Sequence, residues 1–109
     1  MISKTLSETS AVIRTRVQKA RKKQLKRFQS RKIYRNAQMG TKEVKMFCLV
    51  GKEGKELLEM AVTKLGFSAR AYTRVLKVAR TIADLEGQEN ISACYISEAI
   101  QYRMLDKYF

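Results

Sequence analysis

The chain has no histidine and no proline, only two cysteines and five glycines, and no apolar run approaching the roughly 20 residues that cross a bilayer. Each gap excludes something. Without histidine there is no Ser-His or Cys-His nucleophile pair, no imidazole general base and no conventional zinc ligand set. Cys48 and Cys94 stand far apart with no CxxC spacing and read as reduced, small hydrophobes. The carboxylates are scattered without an evident pair, so neither a self-contained active site nor a metal site is expected. The N-terminus lacks the continuous apolar segment of a secretory signal; the expected location is cytoplasmic, with no membrane partner.

What the chain has in excess is positive charge, +13 over 109 residues, and the excess is local. Residues 1–42 hold 13 Lys and Arg against Glu8 alone, whereas residues 43–109 hold 10 against 9 acids. The basic character therefore belongs to an N-terminal arm, and the remainder is close to neutral. With 45% hydrophobic side chains, this length suits one domain with a modest core.

No alternating, β-branched run survives comparison with the helical templates, which predicts an all-α fold, a small bundle of about five helices. A long basic first helix is expected from near Ser7 or Ser10 to about Phe28, with a narrow stripe of Ile13, Val17, Ala20 and Phe28. Residues 30–41 read as a connector. Thr41 is expected to cap a short helix that turns Val44, Phe47 and Cys48 inward. From about Lys52 to Leu65 the apolar set Leu57, Leu58, Ala61, Val62 and Leu65 recurs at helical spacing, and Gly66 supplies a left-handed stop. Phe67 and Ser68 staple and cap the next helix, and Ile91 and Ser92 do the same for a last one bearing Ile96, Ala99 and Ile100.

The stretch SARAYTRVLKVARTIADLEG, residues 68–87, carries a half-circle of apolar residues wide enough for a central core helix. Its opposite arc holds Arg70, Arg74, Lys77 and Arg80 with the single carboxylate Asp84. Lys77 and Arg80 read as ordinary solvated charges. Arg70 does not, because a cation in the first turn opposes the helix dipole at a cost of about 0.3–1 kcal/mol. An anion, phosphate above all, would reverse that sign, and Arg74 one turn along could reinforce it.

FSARAYTRVLKVARTIADLEG followed by ISACYISEAIQYRMLD resembles the C-terminal region of the magnesium-chelatase-like AAA+ ATPases, the group that contains competence-associated, helicase-like proteins. TSAVIRTRVQKARKKQL resembles the basic helix that leads out of the ATPase core in that family. The resemblance implies that residues 41–109 are the helical lid and residues 1–40 a basic helix and connector from an ATPase core. It implies that Arg70, in S-x-R, is the sensor-2 arginine facing the γ-phosphate side of bound ATP, with Arg74 carried over more weakly. It also implies ATP and Mg²⁺ as cofactors of the longer protein, a hexameric ring, and coupling of nucleotide state to domain motion. DNA remodelling, metal insertion and work on protein stay open as the parent's task.

The departure from the family is what is absent. GKEGKE at residues 51–56 lacks the spacing and hydroxyl of GxxxxGK[ST], and no acidic strand end could hold Mg²⁺. The expectation is a C-terminal piece of a longer ATPase that alone neither hydrolyses ATP nor binds it tightly. A second reading stays beside it, a stand-alone basic helical module that binds nucleic acid; in the full protein the same Arg21, Lys22, Lys23, Lys26 and Arg27 could instead pair with acidic surface of the core or of a neighbouring subunit.

Overall fold

The computed structural model describes residues 9–29 and 31–106. Among these the fold is all-α. The helices are α1 (Ser10–Arg27), α2 (Thr41–Phe47), α3 (Lys52–Leu65), α4 (Ala69–Leu85) and α5 (Ala93–Asp106), with a 3₁₀ turn at Asn36–Gln38 between α1 and α2. The five-helix expectation holds. The alternative helix start at Ser7 lies outside the described residues; Thr9 caps α1, its hydroxyl accepting from Val12 N at 3.2 Å.

Helix α4 is the central element, packed by α5, α1, α2 and the 3₁₀ turn. Its period explains this: Ala71, Val75, Leu76, Ala79 and Ala83 are all buried on one side. The small alanines let neighbouring helices approach closely, and Ala79 and Ala83 are wholly inaccessible. From α5, Ile96, Ala99 and Ile100 fill the facing positions. Leu58 and Ala61 of α3 pack beneath α5, and a parallel bridge between Val50 and Ile91 ties together the entries to α3 and α5.

Gly66 ends α3 at φ +70°, as its position just past the apolar repeat predicts, and the chain reverses into Phe67 and α4. Gly54 belongs to packing and not to a phosphate loop, since an added Cβ would lie 3.3 Å from Val50 Cβ and 3.4 Å from Ile96 Cγ1. Two local expectations are corrected. Gly40, not Thr41, is the N-cap of α2, because Glu43 turns back to accept the Gly40 amide at 2.9 Å. Val62 is exposed, because α3 packs mainly against α5 and its inward face is narrow.

Helix α1 buries side chains in its C-terminal half. Ala20, Gln24 and Phe28 are buried, while Ile13 and Val17 remain on the surface. The Phe28 ring meets Phe47 edge-on, centroids 5.5 Å apart at 87°, joining the end of α1 to the end of α2. Arg31 covers the other side of this joint, pairing with Glu43 at 3.0 Å and lying 5.7 Å from the Phe47 centroid. No helix among the described residues is long and apolar enough to cross a membrane.

Candidate functional site

The geometry at the start of α4 follows from three adjacent residues. Gly66 reverses the chain, Phe67 is buried with its amide donating to Ala61 O at 3.2 Å, and Ser68 Oγ accepts the Ala71 amide at 3.1 Å. The helix is thereby fixed in phase, and Arg70 falls in its first turn on the exposed side. Arg74 and Lys77 follow at one-turn intervals, Arg74 exposed and Lys77 half-buried with its ammonium donating to Ala37 O at 3.2 Å.

These three cations share a cleft of about 620 Å³ with Arg103 from the last turn of α5. Val75, Val78 and Ala99 supply its apolar wall, and Thr73, Tyr102 and Ala37 complete the lining. No carboxylate is among the lining residues. Four like charges around one concavity raise its positive potential and hence the local concentration of anions. No ion pair among the described residues involves Arg70, Arg74 or Arg103. Arg103 Nε is moreover buried with no hydrogen-bond partner among the described residues. A buried donor left in that state costs about 1–3 kcal/mol.

Arg80 departs from the sequence expectation. It is buried, not solvated, at 5% exposure. Its Nη1 donates to Phe47 O at 3.3 Å and Glu89 O at 2.8 Å, and its Nη2 to Gln88 O at 3.0 Å. It therefore clamps the end of α2 and the α4–α5 loop. Burial pushes its pKa down, the Asp84 carboxylate opposes that, and the neighbouring Arg27 charge adds to the lowering.

Asp84, 1% exposed, gathers the other half of this cluster. Arg27 Nη1 and Nη2 donate to its two oxygens at 2.9 and 2.7 Å, Asn36 Nδ2 donates at 2.8 Å, and Arg80 Nη2 lies at 3.4 Å. Asn36 Oδ1 accepts from Arg27 Nη1 at 2.8 Å, and the Asn36 backbone N–H donates to Gln24 Oε1 at 3.0 Å. The network thus binds α1, the 3₁₀ turn and α4 through charge-assisted bonds in a dry setting.

Of the five basic residues grouped in α1, the structure separates one from the rest. Arg21, Lys22 and Lys26 are exposed and Lys23 is half-buried, whereas Arg27 turns inward to Asp84. The carboxylate that Arg27 meets comes from a helix far along the chain, so its partner is not visible from the basic run alone. Arg103 and Asn36 were missed by sequence reasoning. The QYR triplet at 101–103 carries Arg103 but assigns it no partner, and Asn36 sits in a segment with no periodicity. Among the described residues no group of three or more His, Cys, Asp or Glu side chains could hold a metal.

Comparison with known proteins adds a family. The family model described as magnesium chelatase, subunit ChlI C-terminal, matches residues 7–103. The chain is 44% identical over 98 residues to the competence protein ComM of Haemophilus influenzae, covering 90% of this chain and 18% of that protein. It is 39% identical over 109 residues to the uncharacterized protein YifB of Escherichia coli, covering 98% of this chain and 21% of that protein. The chain thus spans about a fifth of the length of the curated relatives it matches. No solved structure matches.

Proposed function

The chain belongs to the magnesium chelatase ChlI C-terminal family, and from that premise we propose that it acts as the nucleotide-sensing lid of an AAA+ ATPase. One observation carries this reading: Arg70 and Arg74 line a cleft that contains four cations and no carboxylate. In this reading the rest of the longer protein supplies the P-loop core, ATP supplies the phosphates, and Mg²⁺ is held by that core. This chain supplies charge. Arg70, set in phase by the Ser68 cap, approaches the γ-phosphate side when the lid closes, and Arg74 lies one turn behind it.

The buried cluster explains how such closure would be transmitted. Residues 1–40 act as the arm from the core and residues 41–109 as the lid, but the arm is not a free tether. Arg27 and Asn36 fasten its end to Asp84 of α4, so a displacement of α1 carries the cleft with it. Coupling then needs no hinge inside this cluster. Hydrolysis feeds directly into the position of α1.

The test is ATPase activity of the longer protein carrying Arg70→Ala. The expected loss is roughly tenfold or more, the scale of one charged donor removed from a transferring phosphate. Unchanged turnover with unchanged nucleotide affinity would reject the role. A second contact is favoured by the exposure of Arg21, Lys22 and Lys26 along α1. These fit a phosphodiester backbone, and the competence designation of one relative makes DNA the polymer to try first. A hexameric ring is the assembly this family membership suggests.

A further inference from the structure

We propose that Arg103 is a further phosphate-binding residue of this cleft, gripping the polyphosphate from α5 while Arg70 and Arg74 hold it from α4; the proposal rests on the nucleotide-sensing reading of the cleft. Arg103 lines the cleft together with those two arginines although 28 residues of chain separate it from Arg74. Its Nε–H is buried and without a partner among the described residues. Arg80 Nε is in the same state, but the Arg80 guanidinium is engaged through both Nη atoms, whereas no side-chain hydrogen bond or ion pair among the described residues engages that of Arg103.

The chemistry of the missing acceptor is constrained by what surrounds it. The lining offers no carboxylate. An acceptor from outside must be anionic to sit among Arg70, Arg74, Lys77 and Arg103, and must present more than one oxygen to use a guanidinium fork. A polyphosphate meets both conditions. Its length also matters, because a chain of phosphates can reach donors on two helices at once. Binding would then cross-link α4 to α5 and stiffen the lid along its main packing seam.

The test uses the 109-residue chain with ¹⁵N-labelled arginine and inorganic tripolyphosphate at low ionic strength, reading the Nε–Hε resonances. Arg103 and Arg70 should shift along one saturation curve. Arg103→Lys, which keeps the charge and removes the fork, should weaken tripolyphosphate roughly tenfold at an unchanged thermal midpoint. A stationary Arg103 signal while Arg70 moves would overturn the proposal and leave the sensing role of Arg70 standing. Two stationary signals would likewise overturn the proposal, the sensing role of Arg70 being decided by the longer protein's ATPase activity. Should Arg103→Lys fail to fold, the wild-type resonance decides alone.

Discussion

Arg27 and Asp84, 57 residues apart in the chain, face each other through two parallel hydrogen bonds of 2.9 and 2.7 Å, with the carboxylate fully buried and the guanidinium nearly so. This pair joins the basic helix to the helix that carries the cleft. Removing one partner strands the other's charge in a dry interior, where the cost is about 3–5 kcal/mol. Asp84→Ala should therefore lower unfolding stability by that order, because it removes the carboxylate that Arg27, Arg80 and Asn36 share. Denaturant titration checks this; a loss below about 0.5 kcal/mol, the range of ordinary surface changes, would show that the cluster does not hold α1 in place.

The same pair separates structural from DNA-facing cations on α1. Replacing Arg21, Lys22 and Lys26 by Gln should leave the thermal midpoint nearly unchanged and weaken binding to duplex DNA. The slope of log affinity against log salt should fall by about 2–3, close to one unit for each phosphate no longer neutralised. Arg27→Gln should do the reverse, lowering the midpoint with little change in that slope. If the triple variant binds DNA as the wild type does at every salt concentration, this face does not meet the polymer.

The two thiols should differ in reactivity. Burial pushes the Cys48 thiol up to about 11 from its ordinary 9.0, with the Arg80 and Arg27 charges only partly opposing this. The folded chain thus holds this proton more tightly than the unfolded chain does. Its contribution to stability is complete below pH about 9 and declines as pH rises from there toward 11. At pH about 8 an aromatic disulfide reagent should titrate exposed Cys94 and reach Cys48 only on unfolding. Rapid modification of both thiols in the native protein would contradict the burial of Cys48.

Much of the fold was legible because most of its determinants are local. The Lys52–Leu65 repeat, the Gly66 stop and the Ser68 cap each act within a few residues, and the apolar arc of α4 is wide enough to announce a central helix from its own period. The first-turn placement of Arg70 was legible for the same reason, since the Ser68 cap fixes it locally. Arg80 was not. Its burial depends on carbonyls of Phe47, Gln88 and Glu89 that arrive from two other segments, and a helical wheel places it on the polar side. Arg27 looks like one more member of a basic run until Asp84 is placed opposite it. Asn36 has no local signature at all, since its value lies in holding the Asp84 carboxylate and the Gln24 amide at once.

The central claim is that Arg70 distinguishes nucleotide states through the terminal phosphate. Equilibrium affinities of a non-hydrolysable ATP analogue and of ADP, measured on the longer protein with and without Arg70→Ala, test it most directly. The substitution should weaken the ATP analogue roughly tenfold and ADP much less, so that the preference between them collapses. An ATP-to-ADP affinity ratio unchanged by Arg70→Ala would contradict the claim.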